Sequence, residues 1–381
     1  MRVLIGGDVV PTDLNRACFE AGDAEAVLGG DLKKIWDRAD LRMFNMECPM
    51  TNVTDRIVKN GPSLRAGKGC LKGIASLRPD LVFLGNNHIL DAGEKGLEDL
   101  MDSLEGMGIP YVGAGRDLSS LRRSALIEKD GTVLGIVNCC DTEFSLARPG
   151  RAGAAGCGPE TLEEISRVKR GADRVIVIYH GGKEYYRYPS PALRRLCRSF
   201  ADAGADLVLC QHSHCIGAEE RYGQSVILYG QGNFIFNKKD DAFWHTSLLA
   251  DVTVGDDLKV EWIPIVRTDK GTRLADEPER AEILRALDER SAEAADDGTV
   301  DKKFAGFSSG LLPAYLYTFA GWGRLRRALD MKLFGGRLIR RHYSRGAYAA
   351  MWNFIACDAH REVLLRGLRD MMNGSKEDRH G

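Results

Sequence analysis

Six side chains that can bind a metal ion or transfer a proton each follow a short apolar run within residues 1–240. Two are carboxylates, one is an amide and three are imidazoles: Asp8, Glu47, Asn87, His180, His212 and His214. The last two form a His-x-His pattern, in which the side chains can leave a strand end in alternate directions and bind two different ions. Mixed oxygen and imidazole donors suit Mn²⁺, Fe or Zn²⁺ better than a Ca²⁺ cage.

The apolar runs that precede these residues are predicted to be buried strands. They are separated by helix-like segments such as Gly93–Met107 and Ala192–Ala203, an alternation typical of an α/β fold. The runs are Arg2–Ile5, Leu41–Phe44, Leu81–Leu84, Val133–Val137, Arg174–Tyr179, Leu207–Cys210 and Val226–Tyr229. A predicted hairpin of Leu248–Val254 and Leu258–Ile265 adds an antiparallel component.

Because the carboxyl ends of parallel strands share one edge of a sheet, we expect the six residues to converge there on a metal site. A carboxylate between two ions about 3.5–4 Å apart can bridge them and orient a water molecule as the nucleophile. Each residue alone has an ordinary explanation, since a polar residue at a strand end is often a cap and a single histidine is often structural. However, four of the eight histidines directly follow apolar runs, and this shared placement favours a site.

Composition limits the class of protein. The chain has 381 residues, of which 44% are apolar and 28% are charged, as in ordinary globular proteins. The net charge of −1 argues against a nucleic-acid partner. The ten cysteines show no C-x-x-C or zinc-ribbon spacing, so we expect reduced thiols. With no basic and apolar leader and no apolar stretch of about 18 residues, we expect a cytoplasmic protein.

The small net charge is the sum of two regions of opposite sign. Residues 1–301 carry 38 basic and 48 acidic side chains, whereas residues 302–381 carry 15 and 6. We divide the chain into a large domain of residues 1–270, a charged helix and linker of residues 271–305, and a basic helical segment of residues 306–381.

The basic C-terminal segment is open to two interpretations. Arginines alternate with Leu, Tyr, Phe and Trp between Leu311 and Arg369, as in helices that lie on an anionic membrane surface. That interpretation predicts peripheral contact with the inner face of the membrane. Alternatively, the helices pack their apolar side on the first domain and keep their arginines in solvent.

The ordered motifs resemble those of the CapA family of bacterial capsule-synthesis, or poly-γ-glutamate-synthesis, proteins, which share the calcineurin-like metallophosphoesterase fold. The match covers roughly residues 1–267. Its seven motifs are Gly7-Asp8, Asn45-Met46-Glu47, Asn86 to Gly93, Gly113-Ala114-Gly115, His180 to Tyr185, His212-Ser213-His214 and Gly232 to Phe236. The resemblance implies a four-layer αββα sandwich of two mixed sheets, to which we add the C-terminal helical appendage.

The resemblance also implies roles for the six ligands, with two divalent ions as cofactors. One ion would be held by Asp8 and His214, the other by Asn87, His180 and His212, with Glu47 as the bridge. Metallophosphoesterases at large begin with Asp-x-His, whereas this chain has Asp8-Val9-Val10, so the first ion lacks one ligand. They also usually bridge with Asp, and Glu47 at this position is typical of the CapA branch.

Further residues are implied at the substrate. His88 would lie near the leaving group, where an imidazole can donate a proton near neutral pH. Candidates for substrate contacts are Lys183, Glu184, Tyr185, Asn233 and Arg65. Lys183 and Arg65 could equally be solvated cations.

Two functions are consistent with these features. The first is a metal-dependent hydrolase with a phosphoesterase-type site. It would act on an anionic or polymer-precursor substrate in capsule, exopolysaccharide or poly-γ-glutamate biosynthesis. The second is a non-catalytic polymer-binding or assembly component of an envelope pathway, which the incomplete Asp8-Val9-Val10 motif favours. We expect the hydrolase, with His88 and Glu47 as its catalytic residues.

Overall fold

Each predicted apolar run overlaps a strand of the computed structural model, which describes residues 1–237 and 242–374. The strands are β1 (Arg2–Val10), β2 (Leu41–Met46), β3 (Leu81–Phe83), β4 (Tyr111–Val112), β5 (Ala114–Gly115), β6 (Ser124–Lys129), β7 (Thr132–Cys140), β8 (Gly153–Ala154), β9 (Arg174–His180), β10 (Leu207–Gln211), β11 (Glu219–Tyr222), β12 (Ser225–Leu228), β13 (Asn233–Phe236), β14 (Thr246–Val254), β15 (Leu258–Arg267) and β16 (Thr272–Leu274). The helices are α1 (Arg16–Ala21), α2 (Ala24–Leu28), α3 (Gly30–Asp37), α4 (Leu71–Ser76), α5 (Gly93–Gly106), α6 (Pro159–Lys169), α7 (Pro191–Asp202), α8 (Glu277–Ala294), α9 (Asp297–Phe319), α10 (Arg324–Leu329), α11 (Arg337–His342), α12 (Arg345–Ala356) and α13 (Asp358–Gly374).

Two mixed sheets position the candidate site. The larger sheet has the order β16-β15-β14-β1-β2-β3-β4, and β13 pairs with the second half of β1. In it, β1 to β4 and β13 are parallel, while β14 to β16 form an antiparallel meander that includes the predicted hairpin. The smaller sheet has the order β11-β12-β10-β9-β7-β6, with four parallel strands between two antiparallel edges.

Alternate residues of the central strands pack into different apolar layers. In β1, Val3 and Ile5 pack between the two sheets, whereas Leu4 packs against the outer helices α1 to α5. In β9, Ile176 packs between the sheets and Val177 packs against α6 and α7. Successive side chains of a strand point to opposite faces, so each sheet has one inner and one outer apolar face. The expected αββα sandwich is therefore present.

Residues 271–305, predicted as a charged helix and linker, contain β16, α8 and the start of α9. A capping box starts α8, because Asp276 accepts from the Glu279 amide and Glu279 accepts from the Asp276 amide. One face of α8 is buried rather than solvated, since Ile283, Leu287 and Ala294 recur at helical spacing. Because α8 packs against β11 and β15, the predicted linker is mostly part of the compact N-terminal unit, Met1–Asp301.

The C-terminal unit, Lys302–Gly381, is helical over most of its described part. Its buried apolar cluster consists of Leu316, Tyr317, Trp322 and Ile339. The buried Asp330 accepts from the amides of Leu338 at 3.0 Å and Ile339 at 2.9 Å, and from the Tyr317 hydroxyl at 3.0 Å. This carboxylate therefore ties α9 to the start of α11. Among the described residues, no helix combines the length and hydropathy that crossing a bilayer requires.

Candidate metal centre

The six predicted ligands all lie buried at the carboxyl ends of strands or in the turns that follow them. Asp8 is opposite Asn45 of β2 on one side and Asn233 of β13 on the other. This close approach depends on glycine, because a Cβ atom on Gly7 would lie only 2.1 Å from the carbonyl oxygen of Gly232. The sequence therefore places Asp8 in the centre by letting β1 and β13 meet without side chains between them.

The ligand atoms form two groups that share Glu47. Glu47, His180 and His212 offer donor atoms within 4.8 Å of one another, and so do Asp8, Glu47 and His214. Asn87 lies with the first group, because its Oδ1 atom is 3.1 Å from His180 Nε2. This division coincides with the one that the family resemblance implies.

The buried polar atoms of this centre fit a divalent metal ion. Neither carboxylate oxygen of Glu47 has a hydrogen-bond partner among the described residues, although His180 Nε2 lies 3.3 Å from Oε1. His212 Nδ1 is likewise buried without a hydrogen bond in that part of the chain. A buried carboxylate is costly to keep ionised unless a cation or donors compensate it. Carboxylate, imidazole and amide donors together are ligands of transition-metal ions and zinc. The residues of this centre therefore fit a divalent ion of that kind.

The charges of the centre shift the pKa values of two of its imidazoles in opposite directions. Burial would lower the pKa of His180, but the neighbouring carboxylates of Asp8 and Glu47 raise that pKa to about 10. Burial and the charges of His180 and His214 hold the pKa of His212 well below its usual value. Burial would raise the pKa of Asp8, yet the neighbouring His180 lowers it. The centre thus attracts one positive charge, and a bound metal ion would have to displace the proton on His180.

Two asparagines hold ligand side chains in place. Asn45 Nδ2 donates to Asp8 Oδ1 at 2.7 Å and lies 3.2 Å from His180 Nδ1. Asn233 Oδ1 lies 2.9 Å from His214 Nδ1, which leaves the Nε2 atom of that ring available to a metal ion. The sequence predicts Asn233 as a substrate contact; the structure places its side chain against His214.

Three residues of the centre have left-handed backbone conformations. The φ angles are 84° at His212, 55° at His214 and 61° at Tyr185. Positive φ is uncommon outside glycine and is maintained where the surrounding structure fixes it. The Tyr185 ring lies 5.9 Å from the His214 ring, and the Tyr185 amide donates to the carbonyl of Ser213 at 2.9 Å. The His-x-His turn and the loop after β9 are therefore fixed against each other.

His88 lies beside a buried ion pair that sequence reasoning missed. Its Nδ1 atom is 2.7 Å from Asp91 Oδ2 and 2.9 Å from Lys59 Nζ, and Lys59 Nζ is 2.5 Å from Asp91 Oδ1. All three side chains are buried. Because Nδ1 is engaged, Nε2 is the ring nitrogen available to a substrate. Asp91 stands three residues after His88 and was visible in the motif, whereas Lys59 belongs to an irregular loop, residues 51–66, and no spacing pattern marks it.

The remaining predicted substrate residues differ in their proximity to the centre. Lys183 is exposed in the loop after β9, and its charge contributes to the lowered pKa of His212. Glu184 is half-buried in the same loop. Arg65 is exposed and donates to the backbone carbonyl of Val53. Among the described residues, the contacts of Arg65 do not include the ligand cluster.

The position at which metallophosphoesterases carry the histidine of Asp-x-His is occupied by Val10. This side chain is buried in the outer apolar layer of the larger sheet, where Val10 pairs with Phe236. Aromatic rings instead surround His214: the Trp244 ring lies 4.5 Å away and the Phe236 ring 5.6 Å away. The group around Asp8 therefore has one protein ligand fewer than the standard site.

Comparisons with known proteins agree with the motifs. The profile of a family described as Bacterial capsule synthesis protein PGA_cap matches residues 2–238. The chain is 31% identical over 180 residues to the PGA biosynthesis protein CapA of Bacillus subtilis, covering 46% of this chain and 47% of that protein. It is 29% identical over 182 residues to the capsule biosynthesis protein CapA of Bacillus anthracis, covering 46% and 44%. The chain thus spans about half the length of these curated relatives.

Two solved structures also show similarity. A phosphatase from Mycoplasma pneumoniae aligns at 16% identity over 70% of this chain and 93% of its own, with a TM-score of 0.44. The NAD nucleotidase of Haemophilus influenzae aligns at 13% identity over 81% and 66%, with a TM-score of 0.45. The family profile covers more than half of the chain and includes all six candidate ligands. The resemblance inferred from the motifs is therefore confirmed, and the chain belongs to the family of bacterial capsule synthesis proteins.

Proposed function

We propose that this protein is a metal-dependent hydrolase of capsule, exopolysaccharide or poly-γ-glutamate biosynthesis. Its substrate would be a phosphate ester, or another bond whose cleavage passes through a tetrahedral intermediate. The observation that carries this proposal is the position of Glu47, a buried carboxylate shared by two groups of ligand atoms and without a hydrogen bond among the described residues. Such a carboxylate is suited to bridging two divalent ions, which we take to be Mn, Fe or Zn.

The ligands for one ion would be Asp8, Glu47 and His214, and those for the other would be Glu47, Asn87, His180 and His212. Metal ions bound there would supply Lewis-acid activation of water and neutralise negative charge on the substrate. The chain contributes the orientation of the ligands, because Asn45 fixes Asp8 and Asn233 fixes the tautomer of His214.

His88 would hold the proton for the leaving group. Its Nδ1 atom is anchored by Asp91 and Lys59, so the ring is oriented before a substrate binds. Donation from Nε2 of the protonated ring would leave a neutral imidazole whose Nδ1–H is held by Asp91, and solvent would return the proton to Nε2. This role requires a substrate whose leaving group lies next to Asn87, the candidate ligand that directly precedes His88 in the sequence.

Basic side chains in the loop after β9 favour an anionic substrate. Lys183 is exposed in the loop after β9. In the same loop, the guanidinium of Arg187 lies 5.2 Å from the Phe243 ring, which in turn lies 5.7 Å from the Tyr185 ring. The Arg187 Nε atom is buried without a hydrogen bond among the described residues. A phosphate or carboxylate group of the substrate could satisfy it.

The test is a turnover screen of the full chain with Mn²⁺, Fe²⁺ or Zn²⁺ against phosphate esters and γ-glutamyl peptides, combined with elemental analysis. We expect turnover that Glu47→Gln reduces by at least about 100-fold. Mutation of a residue that only hydrogen-bonds a metal ligand costs about 10–100-fold in activity, and loss of a ligand itself should cost more. Glu128→Gln, the same change on the exposed face of β6, is the matched control and should retain activity. Turnover that survives Glu47→Gln would contradict the proposal.

A second candidate is a polymer-binding component without catalysis, which the apolar Val10 at a ligand position favours. In that case, polymer binding would persist after chelation of metal ions and in Glu47→Gln, while the substrate screen would show no turnover. Turnover and polymer binding of Glu47→Gln, compared with its control Glu128→Gln, therefore distinguish the two functions.

A further inference from the structure

Three leucines one helical turn apart leave an apolar strip on α10 and the π-helical turn that follows it, Asp330–Phe334. Leu325, Leu329 and Leu333 are 83%, 58% and 64% exposed. A spacing of four residues places them along one side of the helix. The orientation is fixed by Asp330, whose carboxylate points into the C-terminal unit and accepts from the amides of α11. The strip therefore faces away from the unit's own apolar cluster.

The last helix of the described chain repeats this arrangement. In α13, Leu364, Leu368 and Met371 lie at spacings of four and three, and Met371 is 77% exposed. Trp352 of α12 is 71% exposed. Scattered exposed apolar residues are normal on a protein surface, but apolar residues at helical spacing on more than one exposed helix indicate a partner.

Positive charge accompanies the strip on α10. Residues 324–345 contain eight arginines and lysines and one acidic residue, the buried Asp330. Six of these cations are exposed: Arg324, Arg326, Lys332, Arg337, Arg341 and Arg345. Long basic side chains beside leucines can extend towards anionic head groups while the leucines enter the acyl region.

We propose that the C-terminal unit binds the surface of an anionic phospholipid bilayer through the face formed by Leu325, Leu329 and Leu333 and the cations around them, which we call the leucine–arginine face. Apolar burial and attraction to head groups act together, as reversible membrane anchoring requires. A second copy of the chain would cover the leucines, but it would also bring two strongly cationic faces together. Charge complementarity therefore favours the bilayer over self-association.

The experiment is flotation of the full-length protein with vesicles of phosphatidylglycerol and phosphatidylcholine, compared with vesicles of phosphatidylcholine alone. We expect binding to the anionic vesicles only, weakened by raising the salt concentration. The variant Leu325→Gln/Leu329→Gln/Leu333→Gln should bind at least about 10-fold more weakly, because three apolar side chains no longer enter the bilayer. Leu118→Gln/Leu126→Gln, which changes two exposed leucines of the N-terminal unit, is the matched control and should bind as the parent does.

Circular dichroism and metal content of each variant establish that the chain has folded. The proposal is overturned if the parent fails to float with anionic vesicles, if it floats equally with phosphatidylcholine, or if the triple variant binds undiminished. Sedimentation provides a further test. A dimer of the parent that the triple variant converts to a monomer would assign the face to a second copy and would also overturn the proposal.

Discussion

In the unit Met1–Asp301, six polar side chains are buried at strand ends, whereas in the unit Lys302–Gly381 the leucines of α10 are exposed. Both arrangements run against the hydrophobic effect, and both are therefore informative. Three extensive apolar layers in the first unit can support the burial of charge. The second unit has a small apolar cluster and leaves most of its large apolar residues in solvent. The contrast is the basis of the two proposals made above: a metal ion inside the first unit and an anionic lipid surface against the second.

The largest expected effect tests whether metal binding is confined to the N-terminal unit. His212→Ala removes one imidazole from the group that also contains Glu47 and His180. We expect at least one equivalent of bound metal to be lost, as measured by elemental analysis after dialysis. His360→Ala, in α13, is the control and should retain the parent content. Full retention of metal by His212→Ala would remove His212 from the ligand set.

The second-largest effect tests how strongly the stability of the N-terminal unit depends on the buried ion pair of Lys59 and Asp91. Lys59→Met leaves the buried carboxyl group of Asp91 without its cation, so we expect the free energy of unfolding to fall by about 3–5 kcal/mol. Turnover should also fall, because His88 loses one of its two anchors. The measurements are denaturant unfolding and kcat on whichever substrate the screen identifies.

Two further variants make the Lys59 experiment specific. Lys59→Met/Asp91→Asn removes both charges and should recover part of the lost stability. Lys34→Met breaks the exposed pair with Asp31, at 2.9 Å, and should cost no more than about 1 kcal/mol. Equal losses for Lys59→Met and Lys34→Met would show that burial of the first pair has no energetic consequence.

The smallest effect concerns pH and the C-terminal unit. Burial would raise the pKa of Asp330, but the amides of Ile339 and Leu338 and the Tyr317 hydroxyl hold it below its ordinary value of 3.8. The ionised carboxylate therefore stabilises this unit above about pH 4, and that contribution is lost as the pH falls through the lower value of the folded state. Asp330→Asn should cost about 1–2 kcal/mol at pH 7 and remove this acid dependence.

Hydrogen exchange of residues 302–374 at pH 7 and pH 3 measures the Asp330 effect. Asp370→Asn, which alters an exposed partner of Arg366, is the control and should leave exchange unchanged. If Asp330→Asn has the protection of the parent at both values of pH, the carboxylate does not hold α9 to α11.

Much of the fold, and the convergence of the candidate ligands, follows from local sequence. Continuous apolar runs such as Arg174–Tyr179 predicted buried strands, and a polar residue at each strand end predicted convergence, because parallel topology alone brings those ends together. The cysteines of the described residues form no disulfide bond. The helical period of Ile283, Leu287 and Ala294 was also present in the sequence. The high charge of the segment conceals it, so composition alone predicts only a charged helix and linker there.

Other features depend on contacts that no local pattern encodes. Lys59 reaches His88 from a loop without regular structure, and only the folded loop shows that its charge is buried. The place of Asn233 beside His214 likewise depends on the side-chain rotamer rather than on the motif. The roles assigned to individual ligands, and the contacts assigned to Lys183 and Arg65, stay predictions.

The meeting of Gly7 and Gly232 has a consequence for how such chains diverge. A Cβ atom on Gly7 would collide with the Gly232 carbonyl, and one on Gly232 would lie 2.7 Å from Ser247 Cβ, at a φ angle of 78°. Neither glycine can therefore take a side chain unless its surroundings shift, although the two stand far apart in the sequence. A lineage that acquires a side chain at either position must also shift a strand.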